Sequence, residues 1–404
     1  MDTARIGARV RYWRLRRGLN RQQFALRVGR SVSWLEKVES GERALVRLPM
    51  LDQVASVLGI STEALADPAE ADRAMRQPDP AEVAAIRGAL GRYEVILGAS
   101  IEADQVPQLA SVAKQVDYLN TAFLASNFSS IGRHLPRLIV EAQRMVECAG
   151  TELVPATRLL VQTYRVASST LLKLDANDTA WLAADRAIIA AQRSQDVYCL
   201  ARATRSVARA MMSLGQTADA LDALKTMARR MEPDVSSSAD SVAAVYGMLL
   251  LAAEIVAAKL GDKSTADTMH DEALRFAEVR FSGRDDSATA FGPTNVYLHR
   301  ISAYVRLGRC DEALSYVGSL SVASIEQLPR ERRSTFLLDV ATAHHQVGHY
   351  DQAVTAVFQA DRVASEEVRC RPGSQALISD LINQPGRPPS TQLRTLARQA
   401  GVNA

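Results

Sequence analysis

The chain has few aromatic residues and almost no stretch in which apolar and polar residues alternate. Aromatic residues make up 5% of the 404 residues, whereas alanine and leucine are abundant. Strands favour aromatic and β-branched residues in alternation, so this composition excludes an extensive sheet and predicts helix. The length exceeds what one hydrophobic core usually serves, and we expect two or more domains or a repeat array.

Cysteine motifs, a secretion signal and a long uncharged run are also missing. The four cysteines lie far apart without Cys-x-x-Cys spacing, at Cys148, Cys199, Cys310 and Cys370. This is typical of reduced structural thiols rather than of a zinc site or disulfides. The most apolar stretch, Val245 to Leu260, contains Glu254 and Lys259, whereas a membrane helix needs about 18 apolar residues. The basic start precedes no apolar signal segment. We therefore expect a cytoplasmic protein without a membrane span.

Motifs of catalysis are absent as well. Residues 261–264 (GDKS) differ from a phosphate-binding loop because Gly and Lys are not adjacent and the upstream glycine is missing. His344, His345 and His349 are close in sequence, but Gly348 breaks the helix between them. No nucleophile elbow or dinucleotide-binding motif appears elsewhere. We expect neither an enzyme nor a cofactor or metal site.

Positive charge is concentrated at the start of the chain. Residues 1–60 contain twelve Arg or Lys and five Asp or Glu, whereas the whole chain carries a net charge of +3. A small basic module joined to a larger, mildly acidic one suggests that the first part binds a polyanion. Chance clustering would produce the same distribution, and charge alone does not decide.

Capping residues and apolar spacing predict three short helices in this basic module. The first covers about residues 3–17. The second begins at the N-cap Asn20, with Gln23 completing a capping box, and Ser31 caps a third helix that runs to about Ser40. The side chains expected to face inward are Ile6, Val10, Trp13 or Arg14, Leu15, Phe24, Ala25, Val28, Leu35 and Val38.

A helix, a glycine-containing turn and a second helix form the arrangement that enters the DNA major groove. The string GLNRQQFALRVGRSVSWLEKVESGER, followed by LPMLDQVASVLGISTEAL, resembles the phage-repressor and Cro-like helix-turn-helix of the xenobiotic-response-element regulator family. The resemblance covers about residues 5–66 and implies a five-helix DNA-binding domain. It also implies that Arg14 and Glu39 form an internal ion pair.

The same resemblance implies contacts with double-stranded DNA along the second and third helices. The implied DNA-binding residues are Arg21, Ser31, Val32, Ser33, Trp34, Lys37 and Arg43. Val32, Ser33 and Lys37 take base-reading positions, and Lys37 can donate to guanine. Arg21 stands where the family commonly has Gln, so a phosphate contact is expected there, as for Ser31 and Arg43. A domain kept only for protein contacts would leave the same side chains solvated.

Beyond residue 80 the chain repeats a turn. Four segments place alanine five residues after a glycine, at Gly215, Gly261, Gly308 and Gly348, and weaker copies begin at Asn127 and Asp175. Successive spacings are 48, 40, 46, 47 and 40 residues. Each copy predicts two helices packed closely at the alanine, and such pairs bury their faces only by stacking. GRCDEAL and GHYDQAV resemble tetratricopeptide repeats, although those span about 34 residues.

The predicted fold is therefore all-α, with three parts. Residues 1–67 form the helix-turn-helix domain, and residues 68–80, with Pro68, Pro78 and Pro80, form a linker. Residues 81–404 form a tetratricopeptide-like α-solenoid for sensing and dimerisation.

The tetratricopeptide resemblance places the first helix of each pair on a concave surface. The implied ligand-facing residues are Lys114, Asp117, Gln162, Arg165, Lys173, Arg202, Arg205, Arg209, Lys259, Asn295 and Arg306. Most are basic, and arginine binds carboxylates through paired hydrogen bonds. We expect an anionic small molecule or peptide there. The alternative is a solvated helix face.

These features together predict a sequence-specific transcriptional regulator whose DNA affinity is controlled by a small ligand or peptide. The domain combination is similar to that of the peptide-sensing, quorum-sensing regulators of Gram-positive bacteria. We expect a homodimer, because two recognition helices one DNA turn apart give this motif class adequate affinity. The alternative is a repeat-based protein-interaction scaffold with auxiliary DNA binding. An antitoxin-like repressor is disfavoured by the size of the second part.

Overall fold

The computed structural model describes residues 3–17, 19–68, 70–71, 74, 80–92, 107–235, 237–281, 286 and 289–402. Within these ranges the chain forms helices and no strand, which confirms the predicted all-α class. Much of the predicted linker, residues 68–80, lies outside the described residues. The N-terminal domain contains α1 (Thr3–Arg16), α2 (Arg21–Arg27), α3 (Val32–Glu39), α4 (Leu48–Leu58) and α5 (Glu63–Ala66).

The helix starts of the N-terminal domain follow the predicted caps. Asn20 Oδ1 accepts a hydrogen bond from the Gln23 backbone at 2.8 Å, and Gln23 Oε1 accepts one from the Asn20 backbone at 3.0 Å. Ser31 Oγ accepts from the Trp34 backbone N–H at 3.1 Å. Both capping predictions are confirmed, and they fix where α2 and α3 begin.

The core of this domain differs from the prediction at Leu15. Ile6, Val10 and Trp13 are buried, but the Leu15 side chain is 58% exposed. Residues three or four apart share a helix face, and a position two residues beyond Trp13 points to the opposite side. The prediction that Leu15 faces inward is therefore wrong, and the indole of Trp13 completes the buried apolar face of α1.

The rest of the chain forms α6 (Pro80–Leu90) and then six helix pairs joined by short turns. The pairs are α7 (Leu109–Leu124) with α8 (Phe128–Glu147), α9 (Leu153–Lys173) with α10 (Asn177–Ser194), α11 (Val197–Ser213) with α12 (Thr217–Val235), α13 (Asp240–Lys259) with α14 (Lys263–Phe281), α15 (Pro293–Arg306) with α16 (Cys310–Val317), and α18 (Arg330–Gln346) with α19 (Tyr350–Val363). The short helix α17 (Val322–Glu326) precedes the last pair, and the final helices are α20 (Ser365–Cys370), α21 (Pro372–Ile382) and α22 (Thr391–Ala400).

The repeated turns owe their form to a left-handed backbone. The four glycines have positive φ, at Gly215, Gly261, Gly308 and Gly348. A Cβ at any of them would meet no atom within 4 Å, so the requirement is conformational rather than steric. The alanine five residues after each of these glycines is fully buried. The predicted α-solenoid is confirmed at these four turns.

The first copy of the repeat begins one residue earlier than predicted. Ser126, with φ of 58°, is its left-handed residue. Asn127 instead caps α8 and accepts from the Ser130 backbone at 3.0 Å. The helix therefore starts two residues after the left-handed position, as in the other copies, and Ile131 takes the place of the alanine. Gly132 has a different role, because a Cβ there would lie 2.7 Å from Glu82 Oε2 of α6.

Helix α13 is the apolar centre of the array. By length and composition it could cross a membrane, yet 78% of its apolar window is buried within the protein. Its carboxylate, Glu254, is fully buried and lies 3.2 Å from His270 Nδ1 and 3.6 Å from an Arg300 nitrogen. This burial is typical of a core helix, and His270 and Arg300 lie close enough to compensate a charge on Glu254.

Replacing Gly247 of α13 tests how tightly this core is packed. A Cβ would lie 2.0 Å from Cζ of Phe291, whose buried ring packs against Phe281 with centroids 5.3 Å apart. We expect Gly247→Ala to reduce the free energy of unfolding by about 1–3 kcal/mol. Urea denaturation followed by circular dichroism measures it.

Gly88→Ala is the matched control, because a Cβ on the exposed Gly88 of α6 meets nothing within 4 Å. It should raise stability by about 0.5–1 kcal/mol through helix propensity. In the double variant Gly247→Ala/Phe291→Leu the two costs should be less than additive. Strict additivity would contradict the steric explanation.

Candidate nucleic-acid interface and ligand cavity

Helix α3 presents a polar and basic surface beside a shallow concavity. Ser33 and Lys37 are exposed, whereas Val32 and Trp34 are half-buried. The concavity is lined by Leu26, Gly29, Arg30, Ser31, Trp34 and Arg43. The structure thus brings three of the predicted contacts, Ser31, Trp34 and Arg43, to one concavity.

A buried ion pair holds α3 against α1. Arg14 Nε lies 2.6 Å from Glu39 Oε1, and its Nη2 donates to Glu39 Oε2 at 3.2 Å. Arg14 also donates to the Leu19 carbonyl at 2.8 Å. Both charged side chains are almost fully buried, so each needs the other. The predicted internal pair is confirmed, and it sets the orientation of the recognition helix.

Arg21 is placed differently from the expectation. Its Nε donates to Glu39 Oε2 at 3.1 Å, and its Nη1 lies 3.6 Å from Glu36 Oε1. The guanidinium is thus a second cation on Glu39, because α2 starts beside the end of α3. A phosphate contact from Arg21 stays a prediction, one that must use its remaining N–H groups.

Arg30 is a basic residue of this surface that sequence reasoning missed. Its guanidinium carbon lies 5.9 Å from the Trp34 ring centroid, a cation–π distance. It stands directly before the N-cap Ser31, where the helix terminus already favours an anion. That position was the signal in the sequence that could have identified it.

The first helices of the pairs surround a cavity of about 260 Å³. Eight of its lining residues are cationic: Arg165, Lys173, Arg202, Arg205, Arg209, Arg306, Arg332 and Arg371. Six of these come from the predicted ligand-facing positions, which the fold therefore brings together. Arg332 and Arg371 were missed because they reach the cavity from the far end of the chain.

Other predicted ligand-facing residues lie outside the lining. Asn295 is fully buried, with Nδ2 3.8 Å from Met248 Sδ, because the first turn of α15 faces α13. Gln162 lies behind Arg165: it donates to Asn120 at 2.7 Å and accepts from Arg165 at 3.2 Å. Lys259 donates to the Met212 carbonyl. Gln162 thus positions a cavity residue, and the assignment of Asn295 to the concave surface is wrong.

Lys173 closes the array around the cavity. Its ammonium donates to Glu331 Oε1 at 2.6 Å and also to Glu367 Oε1, and all three side chains are buried. Glu367 further accepts from Ser126 Oγ at 3.1 Å and from Arg371 at 3.1 Å. These bonds join the first two helix pairs to the last pair and α20. The cavity therefore has walls from both ends of the array.

The eight cations divide into two groups. Lys173, Arg306, Arg332 and Arg371 each lie within 4 Å of a carboxylate oxygen. Arg165, Arg202, Arg205 and Arg209 have no carboxylate at that distance in the described part of the chain. We call these four the unpaired arginines.

The unpaired arginines repel one another in a poorly solvated space. Burial, reinforced by Arg202 and Arg205, lowers the pKa of Arg165 well below its usual value. Burial, reinforced by Arg209 and Arg332, lowers the pKa of Arg205 to about 9. The Nε atom of Arg205 is buried without a hydrogen-bond partner among the described residues. An anion placed here would relieve the repulsion and supply the missing acceptor.

Glu331 and His299 also line the cavity, and the pKa of each is lowered. Although burial opposes it, Lys173 and Arg332 hold the pKa of Glu331 well below its usual value, so Glu331 is ionised. Burial and then Arg332 lower the pKa of His299 well below its usual value, so His299 is neutral. The cavity as a whole retains excess positive charge.

Two of the four cysteines are buried, and two histidines lie close together. Burial raises the pKa of Cys199 to about 12, and it also raises the pKa of Cys310, so both thiols are poor nucleophiles. The rings of His344 and His349 lie 5.8 Å apart. Among the described residues, no three His, Cys, Asp or Glu side chains are grouped to hold a metal.

The N-terminal geometry agrees with a known family. A family model described as "Helix-turn-helix domain" matches residues 5–69, and this part of the chain is a helix-turn-helix domain. It is joined to a helical-repeat array with a cationic cavity. No curated protein sequence matches the chain significantly.

Two solved structures show likeness over most of the chain. Bacillus thuringiensis PlcR, in complex with the peptide PapR7 and DNA, is 13% identical with a TM-score of 0.33, covering 86% of this chain and 98% of that one. The apo form of the competence regulator ComR from Streptococcus vestibularis is 16% identical with a TM-score of 0.24, covering 72% and 96%. At TM-scores this low, neither structure defines how the elements of this chain are arranged.

Lys37 and Arg43 test the division of labour on the DNA-binding surface. We expect Lys37→Ala to weaken binding to the selected site by about 1–3 kcal/mol and to relax the preference at one base pair. Arg43→Ala should weaken binding to all sequences alike and reduce the salt dependence, because it removes a phosphate contact. Fluorescence anisotropy with specific and random duplexes measures both.

Arg229→Ala, on the exposed face of α12, is the control for loss of one positive charge. It should leave both affinities unchanged. Equal losses of Lys37→Ala on specific and random DNA would rule out base reading by Lys37.

Proposed function

We propose that this protein is a sequence-specific DNA-binding transcriptional regulator whose DNA affinity is set by an anionic small molecule or peptide in the repeat cavity. The helix-turn-helix domain supports DNA binding. The observation that carries ligand control is the group of four unpaired arginines facing one cavity. A site with this much uncompensated charge favours an anion because each guanidinium offers paired donors to carboxylate or phosphate oxygens.

The control mechanism follows from differential affinity. A ligand changes DNA binding only if it binds more tightly to one arrangement of the protein than to the other. An anion bound by the unpaired arginines would draw α9 and α11 together. Because Lys173 joins α9 to α18 and α20 at the other end of the array, a shift of α9 would be passed to that end. In a cytoplasmic homodimer, such a change would alter the separation of the two recognition helices, which must be about one DNA turn apart.

In its solved structure, PlcR binds both the peptide PapR7 and DNA. A peptide is one possible ligand class of this chain, and an acidic metabolite is the other. A protein-interaction scaffold with auxiliary DNA binding is the competing function. The scaffold function would be supported if the DNA affinity changed only when a partner protein was added.

The test begins with selection of binding sites from a random duplex library at physiological salt, where nonspecific phosphate binding is weak. DNA affinity for the recovered site is then measured with and without a small-molecule and peptide extract of the source cells. We expect the double variant Arg202→Ala/Arg205→Ala to lose the response to the extract and to keep its basal DNA affinity, because both residues line the cavity.

The control carries Arg229→Ala and Arg230→Ala, two exposed changes on α12 that remove the same charge outside the cavity. It should respond like the parent protein. A normal response of the cavity double variant would reject the cavity as the sensor. A recovered palindrome would support the homodimer, and a single half-site would contradict it.

A further inference from the structure

The unpaired arginines form a continuous patch on two adjacent helices. Arg202, Arg205 and Arg209 are spaced three and four residues apart on α11, which places them on one face. Arg165 joins them from α9 and is held by Asn120 at 2.8 Å. Arg209 donates to Ser169 Oγ at 3.3 Å. Neutral hydrogen-bond partners thus position Arg165 and Arg209, and no carboxylate lies within 4 Å of the four guanidiniums among the described residues.

The amount of charge points to the kind of head group. A carboxylate carries one negative charge on two oxygens, and two bidentate guanidiniums saturate it. A phosphate monoester carries about 1.5 to 2 negative charges on three oxygens, and a diphosphate carries more. Four clustered guanidiniums, one with an unpartnered buried Nε, match the phosphate groups better than a lone carboxylate.

Another part of the cavity wall is apolar. The side chains that form it are Phe123, Leu124, Met212, Met248, Ala252 and Ile255. A purely inorganic polyanion would leave this wall against water, whereas an apolar group packed on it would gain the hydrophobic contribution. The volume of about 260 Å³ lies near the lower end of small-molecule sites, which span roughly 300–1,000 Å³.

We propose that the effector is a small amphipathic phosphate or diphosphate ester. Its head binds Arg165, Arg202, Arg205 and Arg209, and its apolar body packs on the apolar part of the wall, to which α7, α11 and α13 contribute. This inference rests on the proposed function and names the chemical class of the effector.

Isothermal titration of the full chain with five probes tests the class: decyl diphosphate, decyl phosphate, decanoate, decanol and inorganic pyrophosphate. We expect the better of the two decyl phosphates to bind at least tenfold more tightly than decanoate, because it engages more guanidiniums. We also expect decyl diphosphate to bind more tightly than pyrophosphate, because only the former covers the apolar wall. Concentrations stay below micelle formation.

Two variants separate the head from the body. Arg205→Gln should weaken binding of the decyl phosphates at least tenfold, without lowering the Tm, because it removes an unpartnered charge. Ile255→Ser should weaken decyl diphosphate and leave pyrophosphate unchanged. Arg229→Gln, outside the cavity, is the matched control and should change neither affinity.

Each result decides a separate point. Decanoate binding as tightly as the decyl phosphates would overturn the head-group assignment. Equal affinities for pyrophosphate and decyl diphosphate would overturn the assignment of an apolar body. Absence of binding by all phosphate probes would overturn the class even if the cell extract still altered DNA affinity. Tight binding in the cavity without any change in DNA affinity would instead uphold the class and reject ligand control.

Discussion

The bridge from Lys173 to Glu331 and Glu367 is the interaction on which the cavity depends. A stack of helix pairs touches only its neighbours unless something joins its ends. Here one buried ammonium joins α9 to α18 and α20. Two carboxylates around one ammonium would leave a net negative charge. Arg371 offsets it by donating a hydrogen bond to Glu367, which also accepts one from Ser126. Removal of Lys173 would leave two buried carboxylates poorly compensated. The same bridge therefore closes the array and balances the charge of its buried acids.

Closure also explains why the cavity has two electrostatic halves. The cations near α18 and α20 meet the acids that those helices carry, whereas the four unpaired arginines on α9 and α11 have no carboxylate within 4 Å among the described residues. An anion bound by the second half stabilises the arrangement that holds those arginines close. At a concentration of a hundred times its Kd, a ligand specific for that arrangement would stabilise it by about 2.7 kcal/mol. Such a shift is enough to move a balanced equilibrium almost completely.

Local patterns in the sequence predicted the features that depend on local physics. The caps at Asn20 and Ser31 and the left-handed glycines of four repeat turns are set by backbone groups within a few residues. The resemblance to tetratricopeptide repeats placed Arg202, Arg205 and Arg209 on the concave face. The failures are of another kind. Arg332 and Arg371 enter the cavity through closure of the array, which no local pattern encodes, and the face of Asn295 is set by packing on α13.

The unpaired arginines are a departure from the rules that the rest of the chain follows. Two other groups of buried charged side chains are paired: Arg14 with Glu39, and Glu254 with His270 and Arg300. Four like charges in a shared cavity lower the stability of the ligand-free protein, and burial adds to that cost. Sequences that fold well tend to break such rules at functional sites, where a ligand supplies the compensation. The cost to the free protein is therefore itself an argument that an anion completes this cavity.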